Sequence, residues 1–288
     1  MNQTVTPGAP GSRPDLVTTL GSHAVPLRAR SALVLALISV AGLAMFCWPL
    51  LTHNDVSGSA HVTDAPIIFA ATLPLLVFVV LAEFADGGMD SKALAMLGVL
   101  SAVDAALRPM GGGTGGVETV FFLLILAGRV FGPGFGFVLG CTSLFASALI
   151  TAGVGPWLPF QMLCSAWIGL GAGLLPRRVR GTREIVMLIA YGVLAAYLFG
   201  ALMNLYGWPF LAGTDISGHA NLAYVPGDSL LDNLHRFGVY TLVTSTGGWD
   251  TGRAITNALA IALLGRPVLV VLRRAARRAS YDPVRSDN

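Results

Sequence analysis

Residues 118–176 read ETVFFLLILAGRVFGPGFGFVLGCTSLFASALITAGVGPWLPFQMLCSAWIGLGAGLLP, and no charged residue falls between Val130 and Pro176. One helix cannot account for this run, because about 20 apolar residues already cross the hydrocarbon core of a bilayer. Glycine and proline divide it. Gly132-Pro133-Gly134 suits a tight turn, since proline fixes φ and glycine accepts positive φ. Gly153-Val154-Gly155-Pro156 makes a second break. The reading is three consecutive spans, at roughly 118–130, 133–152 and 157–175, threading the membrane as helices.

Composition agrees. Of the 288 residues 54% are hydrophobic and 11% charged, against about 25% charged in soluble domains. The fold class expected is an all-α, polytopic membrane helical bundle. Cys47, Cys141 and Cys164 all lie in apolar runs and read as small buried hydrophobes. No signal peptide is expected, because no apolar core precedes Ala32. Residues 1–30, rich in proline and glycine, read as a disordered cytoplasmic N-terminus.

Outward from the central stretch, further spans are expected at 31–51, 65–82, about 92–108, 185–208 and about 250–272. The stretch 234–272 is too long for one span and is expected to break at Gly247-Gly248, with a short or re-entrant piece before the last span. Arginine and lysine set the orientation. Arg28, Arg30, Lys92, Arg129, the 177–183 cluster RRVRGTR and the 273–278 cluster all fall inside on a count of about eight spans. Loops 52–64 and 209–233, which hold Asp55, Asp64, Asp215, Asp228 and Asp232 and no lysine or arginine, fall outside. Both termini are then cytoplasmic, with 276–288 a basic tail.

The phrases FFLLILAGRVFGPGFGFVLG, GVGPWLPFQM and AWIGLGAGLLPRR resemble the substrate-binding (S) subunits of energy-coupling factor (ECF) vitamin transporters. The resemblance is closest to the actinobacterial branch assigned to cobalamin or another vitamin, and it covers about residues 90–278. It implies a six-helix core at 90–275 with both ends cytoplasmic, preceded here by two additional N-terminal helices at 31–84. It also implies a solute captured from outside and delivered inward with a transmembrane coupling subunit and two ATPases. No cofactor is expected in this chain, because ATP is used by the partner ATPases. The absence of a Gly-rich phosphate loop with its Lys and Ser/Thr agrees with that.

A charge within a span costs about 2.5–3.5 kcal/mol on insertion scales, so each one needs a partner or a purpose. Asp104 and Arg108, at i and i+4, can pair on one helix face, as a structural pair or as one wall of a solute pocket. Arg129 reads as a cytoplasmic anchor. Glu118 opens a short span beside a glycine loop, where it caps a helix or meets a ligand. Asp250, Arg253 and Asn257 share one face of the last helix, just after Trp249. They lock two helices together, or they form a ligand site; the resemblance of WDTGRAITN to the end of S subunits favours the second. Trp157, Trp208 and Trp249 lie near the expected outer boundary, as a membrane aromatic belt or as walls for a flat solute. Gln161 and Asn204, each one turn from a tryptophan, read as inward-facing or as interhelical glue.

Gly98, Ala102 and Ala106 form a stripe of small residues. They pack against another helix of the same chain, or, by the resemblance, dock the coupling subunit. His53 and His61 read as exposed loop residues rather than metal ligands. No residue set assembles for catalysis, so no enzyme activity is expected. Two other function classes stay open, a stand-alone secondary transporter, which would show inverted repeats, and a lipid-acting membrane enzyme, which would cluster its acids or nucleophiles at one interface.

Overall fold

The computed structural model describes residues 25, 29–51, 72, 75, 91–111, 114–212, 216 and 222–280. The expected span at 65–82 and the loop holding His53 and His61 lie outside the described residues, apart from Thr72 and Leu75.

The glycine and proline breaks fall where the helices end. Helix α1 covers Ala29–Leu51 and α2 covers Ser91–Gly111. Helix α3, Val120–Phe131, stops at Gly132, whose φ of 113° lies in the region glycine favours. Pro133 then opens α4, Pro133–Ile150, at a position where its missing N–H costs nothing. Helix α5 covers Leu158–Leu174 with Pro159 in its first turn, and α6 covers Thr182–Gly207. A short 3₁₀ turn, Trp208–Leu211, follows α6.

The last part differs from expectation. Gly247-Gly248 does not break the chain. Helix α7, Leu230–Thr241, runs through a π-helical stretch, Leu242–Asp250, into α8, Thr251–Ser280. The result is one continuous rod. Each π turn holds an extra residue, which glycine tolerates without a break. The rod begins on a capped end, where the Ser229 hydroxyl accepts from the Asp232 backbone N–H.

Among the described residues no β-strand occurs, and five helical segments are long and apolar enough to cross a membrane: α1, α2, α4, α6 and the α7–π–α8 rod. Helices α3 and α5 are shorter and apolar. The chain is therefore an all-α polytopic membrane bundle, with helices at seven of the eight stretches expected to span. Large apolar side chains such as Leu37 and Val40 on α1 and Leu263 and Val271 on α8 stay exposed, as a lipid-facing surface requires.

Helix α3 is the axis of the bundle. Every residue from Val120 to Phe131 except Val130 is buried. Helices α4 and α5 close on it through glycine. A Cβ on Gly128 of α3 or on Gly136 of α4 would overlap the Gly169 carbonyl of α5, and one on Gly173 would overlap the backbone at Gly132 and Pro133. Small residues at such contacts let helix backbones meet, which in lipid is the main source of packing attraction. Helix α2 lies against α4, and α6 lies against α8. Helix α1 is fastened along α5: Phe46 meets Phe160 edge-on at 5.0 Å, and Trp167 Nε1 donates to Ser39 Oγ at 2.9 Å.

At the end of the bundle carrying the arginine-rich loop, Arg129 is buried rather than a surface anchor. Its Nε donates to Glu184 Oε1 at 2.8 Å, and its Nη atoms donate to the carbonyls of Leu175, Pro176 and Val179. Arg273 donates to the same Glu184 oxygen at 2.6 Å. One buried carboxylate thus ties α3, the α5–α6 turn, α6 and α8 together.

Candidate functional site

At the opposite end, α6 and the rod form an open pocket of about 310 Å³. Helix α6 contributes Phe199, Gly200, Met203 and Asn204. The rod contributes Tyr240, Thr244, Ser245, Trp249, Asp250 and Arg253. The π stretch explains how the rod presents this set. Residues five apart align on a π-helix. Ser245 Oγ accordingly donates to Asp250 Oδ2 at 2.8 Å, and Thr251 Oγ1 donates to the Thr246 carbonyl, also five residues back.

Asp250 is buried, and both of its carboxylate oxygens are taken. Oδ2 accepts from Ser245, and Oδ1 accepts from Arg253 Nη1 at 2.8 Å. Room for the carboxylate exists because position 200 is glycine; a Cβ there would overlap it. The Arg253 guanidinium also lies 4.8 Å from the Phe199 ring centroid and 5.7 Å from that of Phe121. Those two rings are 4.8 Å apart. A desolvated cation over aromatic faces gains about 2 kcal/mol. Arg253 is thus held by an acid and two rings, while its Nε has no hydrogen-bond partner.

The glycine loop before α3 closes on the same place. Thr114–Gly116 forms a 3₁₀ turn, in which Gly115 and Gly116 have φ of 58° and 78°. A Cβ on Gly116 would overlap the Trp249 carbonyl, and one on Gly252 would overlap the Gly115 carbonyl. Glu118, just beyond the loop, feels the charges of both Arg253 and Arg108.

Of the residues singled out in the sequence, Asn204, Trp249, Asp250 and Arg253 line this pocket. Asn257 is fully buried one turn further along α8 and donates to the Arg253 carbonyl at 2.9 Å. Trp249 is 48% exposed at the rim. Trp208 does not line the pocket. It is fully buried among Tyr224, Phe237 and Tyr240, and its Nε1 donates to the Leu222 carbonyl. Trp157, 45% exposed at the start of α5, also lies apart from the lining.

Arg108 and Asp104 do not pair. Arg108 Nη2 reaches across to Gln161 Oε1 of α5 at 2.9 Å. Asp104 is fully buried, toward Ser143 of α4. The i, i+4 spacing permits a pair, but here burial turns the two side chains to different neighbours.

Gly98, Ala102 and Ala106 are all exposed on α2. A Cβ on Gly98 would meet nothing within 4 Å. The stripe therefore does not serve close packing within the described residues.

Residues 92–271, more than half of the chain, match the family model described as "ECF transporter, substrate-specific component". The chain belongs to this family. No curated protein and no solved structure gives a significant match. The match covers α2 through most of α8, so the pocket lies wholly within the matched residues while α1 lies outside them. An ECF substrate-specific component is a membrane transport protein that works in association with coupling and ATPase subunits.

Six lining residues escaped the sequence reading: Phe199, Gly200, Met203, Tyr240, Thr244 and Ser245. Ser245 carried no usable signal, since its five-residue spacing to Asp250 aligns the two only on a π-helix. Gly200 carried none, since its role depends on a carboxylate 50 positions away.

Proposed function

We propose that this ECF component captures a vitamin-like solute from outside in the α6–rod pocket and passes it inward with a transmembrane coupling subunit and two ATPases. The observation carrying this reading is the Asp250–Arg253 pair. It is an ion pair at membrane depth that faces a cavity, stands on irregular helix and keeps an unspent donor. Non-helical or strained backbone in a membrane is tolerated where it lines such a space. The acidic end of the bundle, where the pocket opens, is then extracellular, and both termini are cytoplasmic. No cofactor acts in this chain, because ATP hydrolysis belongs to the partner ATPases. Cobalamin is the ligand supplied by the resemblance, and the pocket's dimensions put it to the test.

Binding is measured by thermal shift of the detergent-solubilised protein against water-soluble vitamins, cobalamin included. A ligand at a hundredfold excess over its Kd adds about 2.7 kcal/mol of apparent stability. The double substitution Asp250→Asn with Arg253→Gln keeps shape and removes both charges together, which avoids stranding one of them. We expect it to fold and to lose the ligand-induced shift. A folded double variant that keeps the full shift makes the pair structural and the pocket assignment wrong.

The exposed stripe on α2 is proposed as the coupling-subunit contact, with Gly98, Ala102 and Ala106 allowing close helix approach. Gly98→Leu and Ala102→Leu are expected to abolish uptake in cells while leaving ligand binding intact. Loss of ligand binding in these variants places the stripe's role inside the bundle instead.

A further inference from the structure

We infer that the pocket takes an uncharged, flat ring compound bearing carbonyl or ring-nitrogen acceptors, of one- to three-ring size, and not a corrinoid. This inference rests on the reading of the α6–rod cavity as the solute site.

Charge comes first. The pocket lining contains one carboxylate and one guanidinium, Asp250 and Arg253, in contact at 2.8 Å. Within the lining the formal charges of Asp250 and Arg253 sum to zero. An anionic ligand reaching Arg253 also meets Asp250, and a cationic one meets Arg253. Like charges brought together without water are strongly disfavoured, so neither sign of ligand gains a clear advantage over a neutral one.

Hydrogen bonding comes second. Both oxygens of Asp250 already accept bonds. The polar atoms of the lining that remain buried without a partner are Asn204 Nδ2 and Arg253 Nε. Both are donors. A buried donor left unpaired is costly, and a ligand acceptor removes that cost. The site therefore selects for acceptors on the ligand.

Shape and size come third. Phe199, Tyr240 and Trp249 supply flat apolar surfaces around these donors. A volume of about 310 Å³ lies at the bottom of the usual range for small-molecule sites, about 300–1,000 Å³. It accommodates a single ring or a small fused system. A corrin macrocycle with its side chains far exceeds it.

The test uses the full chain in detergent and matched probes of one shape and two charges: nicotinamide against nicotinate, and riboflavin against its 5′-phosphate, with cyanocobalamin as the large member. Thermal shift and equilibrium dialysis read binding. The expected result is that a neutral member binds at least about tenfold more tightly than its anionic twin, that cyanocobalamin gives no shift, and that Asn204→Leu weakens the neutral member about tenfold. Tighter binding of an anionic twin, binding of cyanocobalamin, or no binding by any neutral member overturns the inference. The underlying pocket reading fails separately: whichever probe binds, it fails if the Asp250→Asn, Arg253→Gln variant binds that probe as the parent does. Loss of binding in that variant to an anionic or corrinoid probe keeps the pocket and discards the ligand class.

Discussion

Gly169→Ala should abolish the folded protein, although it adds one methyl group to an apolar helix. The methyl has nowhere to go. A Cβ at position 169 would overlap the Gly136 carbonyl of α4, and the Gly169 carbonyl itself is the surface on which Gly128 and Gly136 rest. Overpacking against side chains costs about 1–3 kcal/mol, because rotamers can yield. Here the neighbour is backbone in the middle of a buried helix, so α3, α4 and α5 must separate. That separation removes the close contact on which helix association in lipid depends. Gly98→Ala is the control, since nothing lies within 4 Å of a Cβ there. It should be neutral or slightly stabilising, by up to about 1 kcal/mol of helix propensity. Yield of monodisperse protein and thermal unfolding in detergent measure both. A Gly169→Ala protein that melts with the parent would show that the three-helix contact is looser than the glycine geometry demands.

The same glycines mark what could and could not be read from sequence. Gly132-Pro133 and Gly153–Pro156 announced the helix ends, because φ preference and a missing N–H are local properties. Their second role was hidden. Gly132 just before α4 with Gly136 and Gly140 on it, and Ser165, Gly169 and Gly173 on α5, repeat every four residues. That spacing is the one noted for Gly98, Ala102 and Ala106. In a run with no charged residue, however, little contrast between faces says which stripe turns inward. The outcome was nearly the reverse of appearances: the stripe on α2 faces out, and the α4 and α5 stripes make the core.

At the site, the cluster of Trp249, Asp250 and Arg253 was legible because charges in a span demand a reason. The π geometry that aims them was not. Gly247-Gly248 read as a break, whereas the helix absorbs an extra residue per turn and keeps going. Trp208 misled for a related reason. Position near a boundary cannot separate a tryptophan that faces a solute from one whose N–H is spent on a carbonyl 14 residues away. Glu184 gave no local sign at all, since its partners Arg129 and Arg273 are 55 and 89 residues distant.

Removing that carboxylate should be the most damaging single charge change in the described bundle. Glu184 is 1% exposed and accepts from two guanidinium groups through one oxygen. Arg129 is 7% exposed, so in Glu184→Gln it remains buried with its charge uncompensated. Breaking a buried pair from one side costs about 3–5 kcal/mol, because the orphaned charge keeps its desolvation penalty. Arg129→Gln should cost less. Glu184 then still holds Arg273, although the carbonyls of Leu175, Pro176 and Val179 lose their donor. Arg273→Gln should cost least, about 1 kcal/mol or below, since that side chain is 29% exposed and can hydrate. The order Glu184→Gln, Arg129→Gln, Arg273→Gln is the diagnostic, read as loss of melting temperature in detergent. The double variant Glu184→Gln with Arg129→Gln should be more stable than the sum of its single changes predicts, because it removes the stranded charge along with its partner. If Glu184→Gln proves no worse than Arg273→Gln, water reaches Arg129, and the junction of α3, α6 and α8 is held by packing rather than by this carboxylate.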